Sequence, residues 1–150
     1  MARFKIYLDV CCLNRPFDDQ GQSRIHLESE AVLLIMSRFQ TGDWEWLGSS
    51  AIDHEVSQTP NLERRRRLEA LMTAIHQSLL LNSTDVARTK RQQSLGFKQW
   101  DALHLACAER GQADVFLTTD DKLLGLAKKL TGQLKVLVAN PLDWLTEVSE

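Results

Sequence analysis

Asp9, Glu55, Asp101 and Asp120 hold positions in the sequence from which carboxylates can converge. Asp9 follows the apolar run Ile6-Tyr7-Leu8, and Asp120, with Asp121 beside it, follows Val115-Phe116-Leu117-Thr118-Thr119. Glu55 lies in a helical stretch just after an apolar strand, and Asp101 opens the helical stretch that precedes Val115. Acids that end parallel strands emerge at one edge of the sheet, where open α/β folds build their sites. Four carboxylates at one edge repel, and burial raises their pKa values. A hard divalent cation relieves that repulsion, and Mg²⁺ or Mn²⁺ takes oxygen ligands while keeping waters. Such an ion acidifies a bound water and neutralises an attacked phosphate, and a second ion can stabilise the leaving oxygen. Without a Cys/His ligand set, zinc is disfavoured. Taken singly, an Asp at a strand end is usually a turn or cap residue; the joint pattern carries the reading.

Alternating strands and helices must position these acids. Residues 4–8 read as a strand, and residues 10–13 are an apolar run. Residues 14–21, rich in Asn, Pro, Asp and Gly, read as a functional loop. A helix from Gln22 or Ser23 to about Gln40 carries Ile25, Val32, Ile35, Met36 and Phe39, with Glu28 and Glu30 in its early turns; Gly42 closes it. Residues 44–48 alternate as a second strand, and Ser49-Ser50 caps the next helix, with Asp53, three residues after Ser50, as a capping-box partner. Asn61 caps a helix over residues 62–79, whose stripe is Leu68, Leu71, Met72, Ile75 and Leu79; residues 79–81 suggest a short strand. Residues 83–85 cap a further helix ending near Gly96, and Gly111 stops the helix bearing Asp101. A helix over residues 120–130, a strand over 134–138 and a terminal helix opened by Asn140-Pro141 complete the chain. The alternation implies one three-layer α/β domain over residues 1–150, with a mainly parallel sheet of four or five strands.

With 150 residues the chain can bury a sizeable core, and it has no apolar run of the ~18 residues a membrane helix needs. An acid as early as Asp9 is unlike a secretory signal, so a cytoplasmic location is expected. Cys11, Cys12 and Cys107 lack metal or disulfide spacing and read as small buried hydrophobes. Net charge is −2, yet residues 63–91 hold seven basic residues against three acids. Arg64, Arg65, Arg66 and Arg67 stand at a helix start, where they oppose the dipole, and are candidates for a phosphate backbone or a solvated face. His54 and His104 neighbour the acids, but this kind of site needs no histidine, so both read as packed or solvated. Trp44, Trp46, Trp100 and Trp144 can stack bases, although their apolar neighbours favour core or interface roles.

The segments Ile6-Tyr7-Leu8-Asp9, Ser50-Ala51-Ile52-Asp53-His54-Glu55-Val56, Asp101-Ala102-Leu103-His104-Leu105-Ala106 and Leu117-Thr118-Thr119-Asp120 resemble the acidic motifs of PIN-domain ribonucleases. Many of these are VapC-type toxins of bacterial toxin–antitoxin pairs. The resemblance spans residues 5–138, and the motifs at Asp101 and Asp120 are the most specific. It implies an α/β/α PIN-like fold, Mg²⁺ or Mn²⁺ at the acids and endonucleolytic cleavage of RNA. It also implies a homodimer and a small antitoxin that blocks the site. Carried over, Asp9, Glu55, Asp101 and Asp120 are the acidic set, and Thr118 hydrogen-bonds a carboxylate or water. Asp121 is an alternative or additional ligand, ranked below Asp120 on the resemblance. Two positions after the first acid, where many members carry a small polar residue, this chain has Cys11. Asn14 and Arg15 are candidates for substrate contact or for bracing their loop.

The leading expectation is therefore a metal-dependent endoribonuclease acting as a toxin. The alternative is an RNA-binding or scaffold protein with a degenerate acidic site, against which the full set of four acids argues. A phosphoacceptor receiver domain would need an acidic pair near the N-terminus, where only Asp9 ends the strand.

Overall fold

The computed structural model describes residues 3–149; Met1 and Ala2, which belong to the N-terminal stretch read above for a signal, and Glu150 lie outside the described residues. Five strands, β1 (Lys5–Leu8), β2 (Glu45–Ser49), β3 (Gln77–Leu79), β4 (Val115–Leu117) and β5 (Leu137–Ala139), form one sheet in the order β3-β2-β1-β4-β5. Every neighbouring pair is parallel. The helices are α1 (Val10–Asn14), α2 (Ser23–Thr41), α3 (Ser50–Ser57), α4 (Leu62–Met72), α5 (Ser83–Ser94), α6 (Gln99–Arg110), α7 (Asp121–Lys129) and α8 (Pro141–Val148). Ile6, Tyr7 and Leu8 are all buried, as are Val115, Phe116 and Leu117, so helices cover both faces of the central strands. This is the expected α/β architecture with a PIN-like parallel sheet. No helix among the described residues is long and apolar enough to cross a membrane.

The register places the site. Leu8 pairs with Leu117 and Tyr7 with Leu47, so Asp9, Ser49 and Thr118 all stand at the carboxyl edge. The chain builds β1, β2 and β3 outward in one direction, then returns to lay β4 on the other side of β1. Asp9 and Thr118 therefore flank the point where the strand order reverses, the usual place for a ligand in such sheets.

Several local expectations shift. β2 does not alternate: from Trp46 onward it is buried throughout, because a central parallel strand faces helices on both sides. Of the expected pair Ser49-Ser50, Ser49 caps α3, its Oγ accepting the Ile52 N–H at 3.3 Å; Asp53 stays exposed rather than closing a capping box, and Ser50 Oγ accepts the Leu81 N–H. α4 ends at Met72 rather than near residue 79, and the chain turns through Ala74 and Ile75 into β3. Ile75 and Leu79 still pack on the core, but from a turn and a strand, which mimics helical spacing. β3 spans Gln77–Leu79 instead of residues 79–81, and β5 begins later than expected, after a 3-10 turn at Thr131–Gln133. Asn82 caps α5 and forms a capping box with Asp85. Gly111 follows α6 for a reason other than left-handed geometry: a Cβ there would overlap the Leu47 and Leu79 side chains, while Gln112 takes the positive φ of 58°. Cys12 and Cys107 are buried as expected, whereas Cys11 is half-buried beside the acids.

Candidate functional site

Asp9 is the pivot. It caps α1 from an extended backbone, and its Oδ1 accepts the Val10 N–H at 2.9 Å. Its backbone N–H reaches Leu117 O at 2.9 Å, which ties it to the end of β4. Thr118, fully buried just past β4, donates its hydroxyl to Asp9 Oδ2 at 2.8 Å and accepts the Asp120 N–H at 3.2 Å. One threonine thus sets both the first carboxylate and the backbone leading to the last. Cys11 Sγ lies 3.5 Å from Asp9 Oδ2 and 3.3 Å from Thr118 Oγ1, so a thiol fills the place expected for a small polar residue.

Glu55 reaches the same edge from α3, half-buried, with Oε1 2.8 Å from His104 Nε2. Ligand atoms of Asp9, Glu55 and His104 lie within 4.8 Å of one another. Asp101 and Asp120 fall outside that tight trio; the Asp101 charge acts on Asp9 and the Asp120 charge on Asp101. Burial, then the Cys11 sulfur and the charges of Glu55 and Asp101, push the Asp9 carboxyl well above the usual carboxylate range, with the Thr118 hydroxyl working the other way. Burial and the neighbouring Asp120 raise Asp101. Asp120 is exposed, and its Oδ1 accepts the Lys122 and Leu123 N–H groups as the cap of α7. Asp121 turns elsewhere: both of its oxygens accept from Arg24 at 2.8 Å, and this pairing holds its carboxyl below the ordinary range.

The donor set fits a hard cation. Asp9, Glu55, Asp101 and Asp120 offer carboxylate oxygen, and two of them are raised by burial and by one another's charge, which a divalent ion would relieve. His104 is the residue that sequence reasoning passed over. The signal was faint: a histidine three positions after Asp101, whose partners Tyr7 and Glu55 are 97 and 49 residues away.

A cleft of about 430 Å³ opens beside the trio, lined by Cys11, Asn14, Arg15, Glu55, Gln58 and Arg64 among others. A larger hollow of about 550 Å³, between α7 and β5, contains none of the four acids. Asn14 Nδ2 donates to Val10 O, and Asn14 Oδ1 accepts from Arg64. Arg15 is held by Glu28 at 2.8 Å and Asp18 at 3.1 Å, and Arg64 by Asp18 at 3.0 Å and the Phe17 carbonyl at 2.6 Å. Arg67 pairs with Glu63, whereas Arg65 and Arg66 form no ion pair among the described residues. Trp46 and Trp144 are core residues and Trp44 packs beside Trp144. Trp100 is exposed and stacks on His54 with ring centres 5.5 Å apart.

No protein-family model and no curated protein matches this chain. Among solved structures, the fold is similar to one described as VapBC2 from Rickettsia felis bound to a DNA fragment from their promoter. The TM-score is 0.58 at 13% identity, over 91% of this chain and 98% of that chain. The likeness is one of fold, and it agrees with the PIN-like architecture.

Proposed function

We propose that this protein is a Mg²⁺- or Mn²⁺-dependent endoribonuclease, the toxin of a toxin–antitoxin pair. The observation that carries the reading is the buried Asp9, locked by Thr118 at the carboxyl edge and facing Glu55 where the strand order reverses. Asp9, Asp101 and Asp120 would hold the cation, with Asp121 the less favoured ligand because Arg24 already occupies both of its oxygens. When bound, the ion supplies an acidified water and neutralises phosphate charge. Glu55 Oε1 is engaged by His104, which leaves Oε2 to take a proton from the attacking water as its oxygen bonds to phosphorus; the P–O ester bond breaks and the departing oxygen takes a proton from solvent. Thr118 keeps Asp9 aimed at the edge. Asn14, Arg15 and Arg64 line the approach, and Arg65, Arg66 and Arg67 lie beyond it on α4.

Single-stranded RNA is expected to be cut by the purified protein, with the activity lost in EDTA and restored by Mn²⁺. Asp101→Asn should lower the rate at least about 100-fold, or about 2.7 kcal/mol of barrier. A variant that cuts as fast as the parent would sink the reading. Calorimetry with Mn²⁺ separates the alternative, since an RNA-binding scaffold with a degenerate site shows no saturable ion site. The toxin role rests on the likeness to a VapBC2 structure and brings a small antitoxin partner, a homodimer and a cytoplasmic location. An adjoining small open reading frame whose product co-purifies with this chain and blocks cleavage would support it.

A further inference from the structure

His104 can serve this site in two ways, as a ligand through Nε2 or as a residue that orients Glu55. The hydrogen bonds behind the ring choose between them. Ser49 Oγ accepts the Ile52 N–H at 3.3 Å and lies 2.8 Å from Tyr7 OH. Tyr7 OH lies 2.7 Å from His104 Nδ1, and His104 Nε2 lies 2.8 Å from Glu55 Oε1. Tyr7, Ser49 and His104 are all at most 1% exposed, so each proton must find its acceptor within the protein.

One polarity satisfies every group. An ionised Glu55 can only accept, so Nε2 carries the proton. Nδ1 then accepts from Tyr7 OH, the Tyr7 oxygen accepts from the Ser49 hydroxyl, and Ser49 accepts from Ile52 N–H. The reverse polarity sets the Nε2 lone pair against a carboxylate oxygen. It also turns the Tyr7 proton toward Ser49, whose own proton is left to the weak acceptor sulfur of Cys107 nearby.

We propose that His104 is a positioning residue: held as the Nε2–H tautomer by the Tyr7–Ser49 chain, it donates to Glu55 and fixes that carboxylate against Asp9 without itself binding the cation. The chain begins at the cap of α3, the helix that carries Glu55, and passes through β1, the strand that delivers Asp9. The two acids are thereby referenced to each other through buried hydrogen bonds rather than through flexible side chains. The inference rests on the reading of Glu55 as part of the active site, but its decisive measurement needs no metal and no RNA.

Long-range ¹H–¹⁵N correlation spectra of the metal-free protein should show His104 protonated at Nε2 and bare at Nδ1, unchanged when Mg²⁺ is added. An Nδ1–H tautomer, or loss of the Nε2 proton on adding Mg²⁺, would overturn the proposal and make His104 a ligand. Tyr7→Phe removes the donor behind the ring and should shift the His104 Nδ1 resonance; an unmoved Nδ1 resonance would mean that Tyr7 does not donate to the ring and would also overturn it. His104→Gln, which can keep a donor toward Glu55, should cut RNA in Mn²⁺ within a few-fold of the parent, and His104→Leu roughly 10–100-fold more slowly, the usual loss when a site residue's hydrogen-bonded support is removed, while both bind Mn²⁺ as the parent does. Equal cleavage rates in the Leu and Gln variants would count against the proposal. No saturable Mn²⁺ site in the parent would defeat the nuclease reading instead, and the tautomer alone would then decide the role of His104.

Discussion

Asp9 carries the clearest electrostatic consequence at the scale of single residues. Folding raises its carboxyl above the ordinary Asp value of about 3.9, chiefly by burial. Between the ordinary and the raised value the native protein binds more protons than the unfolded chain. Stability contributed by this group therefore falls as pH rises through that window and stays low above it. Asp101 acts in the same direction. In EDTA, Asp9→Asn is expected to melt above the parent at pH 7.5, and the gap should close as pH falls toward about 4. Mn²⁺ at 100 times its dissociation constant should add about 2.7 kcal/mol to the parent, roughly 5–10 °C for a chain of this size, and nothing to the variant. Thermal scans with and without the ion check both; an Asn variant that melts below the parent in EDTA at pH 7.5 contradicts the account. That Asp9 and Asp120 reach the carboxyl edge was legible in the sequence, because each follows a parallel strand. His104 was not legible, because its meaning lies in Tyr7, Ser49 and Glu55, which only the sheet brings to it. The neighbours Asp120 and Asp121 could be ranked only by the resemblance and not by physics for the same reason: Arg24, 97 residues away, claims one of them.

Among elements, the segment after α1 is held by side-chain hydrogen bonds and ion pairs around a short 3-10 turn. Glu28 of α2, 2% exposed, accepts from Arg15 at 2.8 Å, Arg24 at 3.2 Å and Asn140 at 2.6 Å. Arg15 also reaches Asp18, which in turn holds Arg64 of α4. Alternating charges thus join α2, the 3-10 turn Arg15–Phe17, α4 and the cap of α8 along the rim of the cleft. This explains why an arginine is kept at the start of α4 against the helix dipole. Glu28→Ala removes an acceptor shared by two guanidinium groups and Asn140; Arg15 keeps Asp18 and Arg24 keeps Asp121, so the expected cost in urea unfolding is about 1–3 kcal/mol. A loss under about 1 kcal/mol would mean the network is incidental. Strand and helix order could be read from apolar runs and caps, as Gly42 and Asn140 show. The end of α4 and the place of β3 could not, because Ile75 and Leu79 satisfy helical spacing while packing from a turn and a strand.

Across the whole molecule, net charge is −2, and the acids gather at one edge of the sheet while the basic segment spans residues 63–91. The fold spends part of that basic segment internally. Arg64 braces the cleft, Arg88 is bound to Glu109 at 2.9 Å and Arg67 pairs with Glu63. Arg65 and Arg66 remain the arginines of α4 without an acidic partner among the described residues. If RNA runs along α4 toward Asp9, these two contact phosphates, and Arg64 shapes the path instead. Each phosphate neutralised on a single strand contributes about 0.7 to the slope of log affinity against log salt. In an Asp101→Asn background that prevents cleavage, replacing Arg65 and Arg66 together by Ala should flatten that slope by up to about 1.4. Fluorescence anisotropy of a labelled single-stranded RNA, read across a salt series, gives the slope directly. Arg64→Ala should instead lower thermal stability more than the double variant does, because it breaks contacts to Asn14, Asp18 and the Phe17 carbonyl at once. An unchanged slope in the double variant would make that face of α4 merely solvated and move the RNA path to another side of the acids.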